Sequence, residues 1–173
     1  MRWSKLTTPM RIAVLVTVLS MVAGFATAYV YIGMARQPKQ PIPFSHRIHA
    51  GTKELSCFFC HPNASNSLHA GLPPMEKCLL CHDVIASKFE PIARIRRYKD
   101  KDESIPWVRV VKLPDYVHFP HEMHIAGGID CGECHGNVKA MDRMHLDHNL
   151  DMNHCVSCHK LRNVSRDCAA CHY

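Results

Sequence analysis

Cys57-Phe-Phe-Cys60-His61 sets two thiols and an imidazole at positions i, i+3 and i+4. The pattern recurs as Cys78–Cys81–His82, Cys131–Cys134–His135, Cys155–Cys158–His159 and Cys168–Cys171–His172. On one helical turn these three positions share a face. Two thiols there can bond the two vinyl groups of a porphyrin while the histidine meets the iron. C-x-x-C-H is the attachment signature of c-type haem, and covalent attachment makes its histidine a permanent axial ligand. The chain has ten cysteines, and the five runs use them all. Five covalently bound haems c are expected, with the ten cysteines as their thioether anchors.

Other chemistries fit the spacing less well. Zinc knuckles pair C-x-x-C units without a histidine fixed behind each one, and disulfides impose no such spacing. The polypeptide is formally +6, a sign that elsewhere suggests nucleic acid. Five haems would bring ten propionates, so the basic residues are read as their balance and no nucleic-acid partner is expected.

Five irons each need a sixth ligand, and nine histidines lie outside the motifs. His46 and His49 stand three apart before the first motif, and His121 and His124 stand likewise before the third. At i, i+3 on a helix such a pair lies one turn apart and can serve two neighbouring irons. His69 and His148 are the further candidates, with His148 preferred narrowly to His145. His118 and His154 are assigned to surface or propionate contacts. Met75, Met141, Met144 and Met152 read first as porphyrin packing. Met141 leads if one haem is His/Met, a pairing that raises the potential.

The elements that must hold these groups are small. Residues 12–35 carry no charge over 24 positions, long enough to cross a bilayer as a helix. Arg2, Lys5 and Arg11 precede the segment, which places the N-terminus in the cytoplasm by the positive-inside rule. The expectation is a retained single-pass inner-membrane anchor over 1–36, with the haem part periplasmic. The rival is a signal peptide cut behind Ala26-Thr27-Ala28.

The remainder contains a repeat: F-x-H-x-x-H, C-x-x-C-H, an intervening histidine, then a second C-x-x-C-H, over 44–82 and again over 119–159. This divides it into a dihaem module (37–82), a haem-free connector (83–117) and a trihaem module (118–173). Within the connector, 83–104 reads as a charged, partly helical surface segment broken at Pro91. Residues 105–117 alternate like an extended strand, and Trp107 is a candidate docking anchor; the plainer reading is a solvated spacer. With fewer than thirty residues per haem, the expected fold is a small, mostly α and irregular multihaem cytochrome with haems as its core.

FSHRIHAG before the first motif, the tract WVRVVKLPDYVHFPHEMH over 107–124, and CGECHGNVKAMDRM resemble the pentahaem cytochrome c subunit of alternative complex III. The second module is also similar to class III cytochromes of the trihaem c7 and tetrahaem c3 kind. The resemblance spans nearly all of 41–173. It implies that His46 and His121 ligate the haem of the motif that follows each, and that His49 and His124 ligate neighbouring haems. Relatives often carry a histidine before L-P-D where this chain has Val111-Lys112. The resemblance further implies a quinol:electron-acceptor oxidoreductase. Its partners would be an iron–sulfur subunit, integral membrane subunits, membrane lipid, and a monohaem cytochrome subunit or a soluble periplasmic cytochrome or copper protein. No catalytic residue of the chain's own is expected.

Two further classes were weighed. A stand-alone NapC/NirT-type quinol dehydrogenase shares the single helix and several haems, but that family usually has methionine close behind its first motif. Here Pro62-Asn-Ala-Ser65 follows. A nitrite-type reductase needs an open iron, and here spare histidines outnumber the irons.

Overall fold

A computed structural model of the chain describes residues 7–35 and 37–173. Arg2 and Lys5, on which the orientation of the anchor partly rests, lie outside the described residues. The chain divides into two compact units, one ending at Gln37 and the other running over Pro38–Tyr173.

The first unit is one helix, α1 (Thr8–Ala35). Its stretch Thr8–Gly33 has a mean hydropathy of 2.0 and presents apolar side chains on every side, as a helix surrounded by lipid does. Its hydroxyls turn back onto its own carbonyls. Thr17 donates to Ala13 at 2.9 Å, Ser20 to Val16 at 2.8 Å and Thr27 to Ala23 at 3.0 Å, so these three hydroxyls are satisfied within the helix. By length and composition the helix can span a bilayer.

The second unit is built from turns and short helices: α2 (Met75–His82), α3 (Glu90–Asp100), α4 (His121–Ala126) and α5 (Met152–Leu161). No strand occurs among the described residues. Every C-x-x-C-H is helical or closes a helical turn. The second and fourth motifs lie in α2 and α5. The first, third and fifth close by donation from His61 N to Cys57 O (2.8 Å), His135 N to Cys131 O (3.0 Å) and His172 N to Cys168 O (2.9 Å).

The connector departs from expectation. Pro91 does not break a helix; it opens one, standing in the first turn of α3, where a missing N–H costs nothing and a fixed φ helps. Nor is the connector solvated throughout. Ile92 and Ile95 of α3 join Ile42 and Leu79 in a buried cluster, against which Met75, Tyr98, Ile105 and Trp107 pack. Trp107, half-buried, is one of the residues that brace this cluster. Burying each such aliphatic side chain is worth about 1.5–3 kcal/mol. Arg96 of α3 reaches back to the turn after α2, donating to Ser87 O at 2.7 Å and pairing with Asp83 at 3.0 Å.

Residues 105–113, extended in pattern, pair with no strand. The Gln40 side chain takes the strand's place: its Nε2 donates to Val108 O and its Oε1 accepts from Val108 N, both at 2.9 Å. Few side chains are deeply buried. Among the described residues the buried apolar set is Ile42, Ala64, Leu79, Ile92, Ile95 and Met141.

The segments before and after the connector are laced together. Arg47 N donates to Met141 O at 2.9 Å, and the Arg47 guanidinium and Ser45 hydroxyl both grip Asp142, at 2.9 and 2.7 Å. Gly51 lies directly against the Lys139 carbonyl, closer than any side chain would permit.

Candidate haem-binding site

The two F-x-H-x-x-H stretches set their rings alike, although Arg47–Thr52 is a π-helical turn and His121–Ala126 is α-helical. Phe44 meets His46 edge-on (4.9 Å, 85°) and stacks on His49 (4.4 Å, 24°). Phe119 meets His121 edge-on (4.9 Å, 89°) and lies over His124 (4.3 Å, 31°). One aromatic ring therefore sets the planes of two imidazoles in each repeat. The sequence signal for this role is the recurrence of phenylalanine at the same place in both repeats.

From this footing the histidines reach motif histidines. The ring centroids of His49 and His82 are 6.0 Å apart, those of His124 and His159 6.1 Å, and those of His121 and His135 6.4 Å with planes 2° apart. Two metal–nitrogen bonds of about 2 Å each, with half an imidazole beyond each nitrogen, span that separation. His46 lies near His61, completing the equivalent of the His121/His135 pair; burial first, then His61 and His49, hold its imidazole below the usual range. His135 is depressed for the same reasons, by burial and then by His121, His61 and His148.

Backbone carbonyls fix the ring orientations. Nδ1 bonds Ser45 O in His49 (2.8 Å), Gly71 O in His61 (2.8 Å), Ile85 O in His82 (2.9 Å) and Leu68 O in His121 (2.9 Å). It bonds Pro120 O in His124 (2.9 Å), Ser165 O in His159 (2.6 Å) and Tyr116 O in His172 (3.1 Å). Each bond keeps the proton on Nδ1 and leaves Nε2 for a metal. Three buried ring nitrogens have no partner: His46 Nδ1, His135 Nδ1 and His148 Nε2.

The remaining candidates separate. His148 keeps Nε2 buried and unbonded, its ring stacked on His154 at 4.4 Å. His145 is occupied at both nitrogens, by Arg143 O at 2.9 Å and Asp147 at 3.2 Å. His69 is exposed and faces no other imidazole among the described residues. His118 stacks on Tyr173 at 4.2 Å, and its N–H donates to Cys171 O at 2.8 Å, bracing the fifth motif. Met141 is buried, Met75 packs on the connector cluster, and Met152 is exposed.

None of the ten cysteines is in a disulfide. Burial is the main cause pushing the Cys60, Cys78, Cys131, Cys134 and Cys155 thiols up. No three or more His, Cys, Asp or Glu side chains converge as a metal cage among the described residues. Facing imidazole pairs beside helical thiol pairs, with an unbonded buried Nε2, fit haem iron and its vinyl groups.

The motifs also meet one another. Cys78 lies near Cys60, Cys131 touches Cys57, Cys134 neighbours Cys155 and Cys158, and Cys155 neighbours Cys171. The spatial succession is second, first, third, fourth, fifth. Arg162 grips Glu133 at 2.7 Å, tying the fourth motif to the third. A cleft of about 670 Å³ opens there, lined by Glu133, His154, Cys158 and Arg162 among others.

No protein-family model matches the chain. It is similar to the menaquinone reductase, multiheme cytochrome c subunit, of Nitratidesulfovibrio vulgaris (Hildenborough). The two are 29% identical over 163 residues, covering 79% of this chain and 78% of that one.

Proposed function

We propose that this chain is a membrane-anchored pentahaem cytochrome c, the electron-transfer subunit of a quinone oxidoreductase. The observation that carries the reading is the set of facing imidazoles, 6.0–6.4 Å apart, each pairing a motif histidine with one from F-x-H-x-x-H. Haem iron supplies one-electron chemistry when bound. The chain's own residues do the rest. The cysteines of all five motifs anchor the porphyrins. His61, His82, His135, His159 and His172 give the first axial nitrogen. His46, His49, His121 and His124 give the second to four irons, and His148 is the candidate for the fifth. The contiguity of the motifs makes the unit a conduit rather than a set of isolated centres.

Likeness to a menaquinone reductase subunit and a helix able to span a bilayer support assembly with quinone-reactive membrane subunits. Alternative complex III is the finer form of this reading, with an iron–sulfur subunit on one side and a periplasmic cytochrome or copper protein on the other. Its direction is quinol oxidation; the relative's name favours the reverse, delivery of electrons to menaquinone.

The test is purification of the native assembly in mild detergent. Five covalent haems by intact mass, co-purifying membrane and iron–sulfur subunits, and haem reduction by menaquinol are expected. Haem reduction only by a soluble reduced cytochrome, followed by reoxidation with menaquinone, establishes the opposite direction. Isolation as a lone polypeptide that oxidises quinol unaided establishes the NapC/NirT-type reading.

A further inference from the structure

The axial imidazoles are not held alike. In the His49/His82 pair both Nδ1 atoms bond backbone carbonyls, Ser45 O and Ile85 O. In the His124/His159 pair both do so again, to Pro120 O and Ser165 O. The other two pairs are each half-bonded. His61 reaches Gly71 O, but His46 Nδ1 is buried without a partner; His121 reaches Leu68 O, but His135 Nδ1 is buried without a partner. The member left out differs: the histidine ahead of the motif in one repeat, the motif histidine in the other. Each repeat nonetheless arrives at one fully bonded and one half-bonded pair.

A carbonyl accepting the Nδ1 proton makes the imidazole a stronger donor, which favours the ferric iron and lowers the potential. An imidazole without that acceptor donates less, and its dry surroundings disfavour the extra charge of the ferric state, so both effects raise the potential. We propose that main-chain carbonyls sort four of the haems into two potential classes, those of the first and third motifs being the easier to reduce. This rests on the haem reading above. Because the third motif's Cys131 touches the first motif's Cys57, the two high-potential sites are adjacent, and they occupy the middle of the second–first–third–fourth succession. Electrons entering from either end settle there first.

The full-length, haem-loaded chain in detergent tests this by redox titration followed by EPR of the ferric low-spin signals. The expected result is two upper and two lower components, apart from the fifth haem. Assignment uses His46→Met, His121→Met, His49→Met and His124→Met. In the first two variants the component that shifts upward, or vanishes if that haem is lost, comes from the upper pair; in the last two it comes from the lower pair. Four components without grouping, or shifting components drawn from the wrong pair, overturn the proposal. A polypeptide with no covalent haem overturns the earlier reading instead, and mass spectrometry identifies that outcome before any titration.

Discussion

His121 and His135 stand with ring centroids 6.4 Å apart and planes within 2° of parallel. They belong to different elements, α4 and the third thiol turn, and their separation fits the shared iron proposed above. The His49/His82 and His124/His159 pairs repeat the separation, at 6.0 and 6.1 Å, but with planes inclined by 63° and 44°.

On the proposed ligation, His121→Ala and His124→Ala each remove one of two axial nitrogens while keeping both thioether anchors. Each reduced variant is expected to bind one CO per chain at the vacated position, where the first and second pairs, unaltered in both variants, bind none. Stopped-flow absorbance in the Soret region checks this. Unchanged CO binding in either variant would exclude that residue as a ligand.

Phe44 touches two imidazoles that reach different motifs. Phe44→Leu is therefore expected to perturb two low-spin EPR signals together. A change confined to one signal contradicts the shared buttress.

Packing outweighs ion pairs in this unit. Ile95→Ala, in the buried connector cluster, is expected to cost about 2–5 kcal/mol. Arg162→Ala breaks a well-exposed pair and is expected to cost at most about 1 kcal/mol. Thermal melts of the haem-loaded protein should rank them in that order.

Asp142 is held below the usual carboxylate range by hydrogen bonds from Arg47 and Ser45. A lowered folded-state pKa gives stability that is present above the unfolded value, about 3.9, and is lost as pH falls through the folded one. Asp142→Asn is expected to melt lower than the parent at neutral pH, the difference closing below about pH 4. A gap that persists in acid would place the cause elsewhere.

Gly51 has the Lys139 carbonyl where a side chain would begin, so Gly51→Ala must push the turn after His49 away from the segment before Met141. Lower thermal stability with an altered His49-dependent EPR signal is expected; a neutral result would mean the turn has room to move.

The sequence made the helical turns and the paired histidines legible because side chains carry both signals at fixed offsets. The carbonyls that bond Nδ1 were not legible, since a backbone oxygen has no residue type: Ile85 and Ser165 could have been anything. The connector misled for a related reason. Its charges at Arg94, Arg96, Arg97 and Lys99 signalled solvent, while Ile92 and Ile95, three apart on α3, turned to the core. Gln40 escaped notice because a side chain imitating a strand leaves no alternation of its own.

So short a roster of deeply buried side chains has a bearing on biogenesis. On the haem reading proposed above, the polypeptide has little reason to collapse before its porphyrins are bonded, so its thiols stay within reach of an attaching enzyme. Maturation and folding then become a single event, since ligand binding supplies the free energy that the bare chain lacks. A mutation that blocks one attachment is best sought in degradation of the whole subunit rather than in a four-pigment product.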